Sequence, residues 1–174
     1  MEDLKQPAAA PAQRKALKGF ACQLRGFDGE EIVHALDASK ARYTFLLRVQ
    51  DPYPSAKFSD VRVRRSPTHD LAFPELPPVG RTLDAAERDV VLHAFGGGTH
   101  KRPTDWGNRD HFCTAPGDER LNRLVSLGLF RGPFGVSPSG DTPGWTGAFF
   151  YLTGNGKALA RALIGERELA GTKT

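Results

Sequence analysis

The stretch Asp118-Glu119-Arg120-Leu121-Asn122-Arg123-Leu124-Val125-Ser126-Leu127 carries the side chains best suited to reading a ligand. Helical spacing sends Leu121, Leu124 and Val125 to one face and turns Arg120, Asn122, Arg123 and Ser126 to the other. Arginine and asparagine are the residues that bond guanine and adenine edges bidentately, so a helix here that reached a major groove would recognise double-stranded DNA. The same pattern also describes a solvated amphipathic face in which Glu119 and Arg123 form an i, i+4 ion pair. Two more cationic positions bear on the choice. Arg131 follows the helix directly, and Arg62, Arg64 and Arg65 form the densest basic group in the chain. The latter trio fits either a phosphate-lining strand or an edge strand guarded against sheet-to-sheet pairing.

Other chemistries find less. His100, His111 and Cys113 include an H-x-C step, but zinc sites recruit four close-set ligands and no second pair accompanies it. His111 and Phe112 read as packing residues, and Asn108 as a turn former. Gly96-Gly97-Gly98-Thr99-His100-Lys101 follows a helical pattern rather than a strand, so it lacks the strand–loop–helix setting that aims backbone N–H groups at phosphate. Ser137 and Ser139 have no nucleophile elbow, and no paired carboxylates stand apart. The expectation is a non-enzymatic protein with no catalytic residues, no metal and no cofactor. Trp106 and Trp145, in Gly/Pro-rich loops, plug the core or anchor an interface.

Charge and composition set the frame for these residues. The 174-residue chain has a net charge of +4, 39% hydrophobic and 25% charged residues, and a sequence pI of about 9.3. A polyanionic partner is permitted, yet the excess is small and neither half is strongly basic. Residues 1–16 include an Ala/Pro run without an apolar core of the about 7–15 residues a secretion signal needs, and no run approaches a membrane span. Two cysteines, Cys22 and Cys113, make no disulfide framework. A cytoplasmic protein without a membrane partner is expected.

The elements that must position the basic residues follow from periodicity. Residues 1–16 read as a disordered arm. Phe20, Cys22 and Leu24 alternate, Gly26 to Gly29 turn the chain, and Ile32 to Leu36 return it as a hairpin. Ser39 is the expected N-cap of a helix through Val49, which Pro52 stops. Phe58, Val61 and Val63 give a third strand with Arg62 and Arg64 on its wet face. Residues 17–66 thus form a ββαβ module, and 67–81, with four prolines, a linker or strap. In residues 82–164, Thr82 caps a helix that Gly96 ends, and Asp118 or Gly117 caps a second that Gly128 closes. Phe130 and Ala148–Thr153 pair across a long loop. A last helix starts at Thr153 and stops at Gly165, leaving 165–174 as a tail. The fold class is α+β.

Helix, polar connection, helix ending in Leu-Val-Ser-Leu-Gly-Leu-Phe, hairpin, then Tyr151-Leu152-Thr153 and a helix: this order over 82–164 resembles a winged-helix domain. Asn108 to Phe112, Leu121 to Phe130 and Phe149 to Gly156 are similar to small uncharacterised bacteriophage and prophage proteins. Ser39 to Tyr43 with Phe58 to Arg64 looks like a recurrent phage-protein module. The resemblance implies a phage or prophage accessory protein, in the host cytoplasm if phage-encoded. Neither likeness brings an activity with it; the outward Arg/Asn face followed by a long hairpin points to double-stranded DNA binding through 118–127, and the alternative is an adaptor or inhibitor acting on a host or phage complex. The loop from Gly135 to Gly147 contains Asp141 and neither Lys nor Arg, so a wing there surrenders part of the nonspecific attraction to phosphate.

Overall fold

The computed structural model describes residues 16–98, 101–138 and 146–170. Its helices and strands are mixed without βαβ repetition, an α+β arrangement. The expected arm, apart from Ala16, lies outside these residues, as do His100, Asp141, Trp145 and the tail beyond Ala170.

The first sheet has β1 (Ala16–Leu24) at its centre, antiparallel to β2 (Glu31–Ala35) and β3 (Val61–Arg65). Alternation along β1 sends Phe20, Cys22 and Leu24 toward α1 (Ala38–Val49), where they pack with Val33, Phe45 and Leu46. The cap of α1 is Asp37 rather than Ser39: the Asp37 carboxylate accepts from the Lys40 N–H at 2.8 Å. A capping side chain reaches the N–H three residues on, which puts Ser39 already inside the first turn.

The proline-rich segment is a strap tied at several points. Leu71–Ala72 forms β4, pairing Leu17 with Leu71 and Ala16 with Ala72. Just before it, a 3₁₀ turn at Pro67–His69 crosses Gly19 so closely that a Cβ there would lie 2.7 Å from the His69 Cβ. Only glycine allows this approach. The Asp70 carboxylate accepts from the Gly19 N–H at 2.9 Å and from Arg65 at 2.6 Å. Beyond β4 the strap buries Phe73 and turns through α2 (Pro78–Thr82).

In the second half, α3 (Ala85–Phe95) begins at Asp84, not Thr82. Asp84 and Glu87 each accept the other's backbone N–H, at 2.8 and 2.9 Å, a reciprocal cap that Thr82, bonded back to Val79, does not provide. Gly96 ends α3 in a left-handed conformation at φ +77°. The polar stretch contains a short strand, β5 (His111–Thr114), which the sequence did not announce. Then come α4 (Glu119–Ser126), β6 (Phe130–Pro138), β7 (Thr146–Leu152) and α5 (Gly154–Ala170). The second sheet runs β5-β7-β6. Its inner residues Phe130, Phe150 and Leu152 pack with Val91 of α3, Leu121 and Leu124 of α4 and Leu159 and Ile164 of α5. Leu17 and Phe73 belong to this same core.

Thr153 caps α5 as expected, its hydroxyl accepting from the Gly156 N–H at 3.1 Å. Gly165 does not stop the helix, which continues to Ala170. That glycine is buried, and a Cβ on it would sit 2.5 Å from the Phe73 Cβ. It serves close packing of the strap rather than termination.

Two measurements check this arrangement. Gly165→Ala in an open helix would gain about 1 kcal/mol; here overpacking against Phe73 reverses the sign, and urea unfolding should show a loss of about 1–3 kcal/mol. The second concerns acid. Burial lowers the His34 pKa below 6.5, opposed by a bond to the His69 backbone, and the Arg65 and Gly19 bonds hold the Asp70 carboxyl below 3.8. In both cases the unfolded chain takes up protons first, so stability is full above those values and falls as pH drops through each. Melts across acid pH should decline in two stages, with His34→Gln removing the one near neutrality and Asp70→Asn the more acidic one.

Candidate nucleic-acid interface

Helix α4 is built as its spacing predicts. The Asp118 carboxylate accepts from the Leu121 N–H at 3.0 Å, Leu121 and Leu124 are fully buried, and Gly128 follows the helix at φ +71°. Arg120, Asn122, Arg123 and Ser126 are exposed on the opposite side. Their freedom differs. Arg120 has no hydrogen-bond or ion-pair partner among the described residues, and Asn122 makes one long bond of 3.4 Å to the Pro116 carbonyl. Arg123 is engaged by an ion pair with Glu87 of α3, whose side chain is only 3% exposed. Glu119 is therefore not its partner, and the ordinary i, i+4 pair is replaced by a bond across 36 positions of sequence.

A buried carboxylate is costly unless paired and fully bonded. Glu87 meets both conditions, with one oxygen on the Asp84 N–H and the other on the Arg123 guanidinium. Arg123 is thus a latch holding α4 against the N-terminus of α3.

The remaining basic candidates do not gather around α4. Arg62 and Arg64 lie on the β3 face opposite Gln23 and Ala21. Arg64 pairs with Glu30 at 2.9 Å, and Arg62 has no partner among the described residues. Arg65 points to the other face, 5.5 Å from the Phe20 ring centroid, and is bonded to Asp70 and to the Gly19 carbonyl. It ties the strap to β1 and β3. Arg131 stands on the outer face of the second sheet, its guanidinium 5.9 Å from the Tyr151 ring centroid.

That outer face was not foreseen. In β7, Ala148, Phe150 and Leu152 turn inward, leaving Phe149 and Tyr151 outward. Register then places His111 and Arg131 beside Tyr151, and Cys113 and Phe134 beside Phe149. The signal was the alternation in Ala148–Leu152 itself, which names two outward rings once one face is known to be covered. Phe112 alone of the expected packing pair goes inward, its ring 5.4 Å from that of His93 on α3.

Burial pushes the Cys22 thiol up to about 11, making it a packing group. Among the described residues no three His, Cys, Asp or Glu side chains converge to hold a metal ion, and no helix is long and apolar enough to cross a membrane. No protein-family model matches the chain, and no curated protein or solved structure does either.

The latch makes a testable statement. Arg123→Ala strands the Glu87 carboxylate and should cost about 1–3 kcal/mol in chemical denaturation. Adding Glu87→Gln to that variant should cost much less than Glu87→Gln costs in the parent, because a neutral amide does not need the cation. Additive losses would show that the two side chains are not coupled.

Proposed function

We propose that this chain is a non-enzymatic accessory protein of phage or prophage type that binds double-stranded DNA by presenting α4 to the major groove. Arg120 and Asn122 are the base-reading side chains. The observation that carries this reading is their joint exposure on a helix whose opposite face is locked into the core through Leu121 and Leu124. Base readout demands a helix of fixed register, because bidentate bonds tolerate little misplacement. The Arg123–Glu87 latch supplies that fixity and removes Arg123 from the contact set. The β6–β7 hairpin following α4 supports the winged-helix likeness. A cytoplasmic setting goes with this role.

A second reading, a protein adaptor, is favoured by α1. Tyr43 and Leu47 lie one turn apart on its outer side and are 51% and 54% exposed. Apolar side chains so placed suit a protein partner better than a phosphate backbone.

Fluorescence anisotropy with duplex DNA across a salt series separates these readings. Arg120→Ala should weaken binding about tenfold, and Asn122→Ala should relax sequence preference while leaving the salt slope unchanged. An absence of duplex binding at low salt overturns the DNA reading. Co-purification of a protein partner that survives nuclease, and is lost in Tyr43→Ala plus Leu47→Ala, would establish the adaptor instead.

A further inference from the structure

The outer face of the β5-β7-β6 sheet carries four rings side by side. His111 lies 5.9 Å from Phe149 and 6.0 Å from Tyr151, and Phe134 lies 6.0 Å from Tyr151, centroid to centroid. The helices of this half pack on the other side of the sheet. Phe134 is 49% exposed, and the His111 side chain 40%.

An irregularity in β6 creates this surface. Arg131 pairs with Tyr151 and Phe134 with Phe149, so three steps along β6 match two along β7. In a regular strand, residues three apart point to opposite faces; the extra residue of a bulge returns Phe134 to the side of Arg131. Gly132 permits it, since a Cβ there would lie 2.8 Å from the Phe149 carbonyl oxygen.

We infer that this ring face is a stacking platform for the bases of single-stranded nucleic acid, a site separate from the duplex-reading helix α4. Planar rings flanked by cations are what unpaired bases and their phosphates recognise together: each base offers a π-face to an aromatic ring, and the backbone seeks positive charge. Arg131 stands on β6 at one side of the face, paired with Tyr151, and Arg109 precedes β5 on the other side. Neither has a carboxylate partner among the described residues. Lys157 lies at the edge, 3.3 Å from Asp110, whose other oxygen is 3.7 Å from the His111 Nδ1. That carboxylate is thereby paired with the Lys157 ammonium. A second copy of this chain is a poorer occupant, because a two-fold contact through this face would bury Arg131 of both copies beside an Asp110 that is already paired with Lys157. A duplex is poorer still, since its bases are already covered by stacking.

Anisotropy of the full chain with labelled oligothymidylate, an abasic strand of equal length and a duplex tests this. Oligothymidylate should bind at low salt about tenfold more tightly than the abasic strand. Phe134→Ala, at a half-exposed position, should remove most of that difference and leave duplex binding unchanged, while Phe134→Trp should retain it. Arg120→Ala should do the reverse, weakening the duplex alone, so the two sites fail separately. Equal affinity for the abasic strand, or unaltered oligothymidylate binding by Phe134→Ala, overturns the platform. So does sedimentation showing that Phe134 holds two copies together while no oligonucleotide binds. Oligouridylate in a parallel arm tells RNA from DNA.

Discussion

The Glu87 carboxylate, withdrawn from water at the start of α3, is the constraint around which the second half is organised. Desolvation of an ionised group tolerates no vacant partner, so its two oxygens dictate two positions at once. One requires the chain to enter α3 with Asp84 in a capping conformation. The other requires α4 to lie where Arg123 can reach. Apolar contacts among Leu121, Leu124 and Val91 would let one helix slide on another at modest expense. The charge pair selects one arrangement, and that arrangement points Arg120 and Asn122 to solvent.

Local chemistry was legible wherever one turn of chain decided it. Asp118, Gly128 and Thr153 act as their types and positions predict, as do the alternation in β1 and the inward leucines of α4. The misreadings each trace to a distant partner. Gly165 carries the mark of a helix stop, yet Phe73 from the strap fills the space beside it and the helix continues. β5 is only four residues long, and nothing in them requires a strand until β7 offers its edge. The caps at Asp37 and Asp84 were missed for a narrower reason: Ser39 and Thr82 are equally good cap types, and a shift of two residues is invisible until the bonded N–H is known.

The basic residues show the same division more sharply. A sequence count treats seven polar and cationic candidates as interchangeable, but the fold spends three of the arginines on carboxylates. Arg65 fastens the strap and Arg123 fastens a helix, so their charge is largely cancelled before any ligand arrives. The small net charge is consistent with this internal use. The ring face on the second sheet lay unseen because its members come from three strands, and because a bulge in β6 breaks the alternation by which Phe134 would otherwise be assigned inward.

The strap connects the two halves in a way that ordinary tethers do not. Leu71 zips onto Leu17 at the edge of the first sheet, and Phe73 two residues later enters the second core. A protease that severed the backbone at this crossing would leave Leu17 and Leu71 on one fragment, although both pack into the core that the other fragment must close. The halves are therefore expected to melt together as one cooperative unit, and evolution could not shuffle either away without rebuilding the seam.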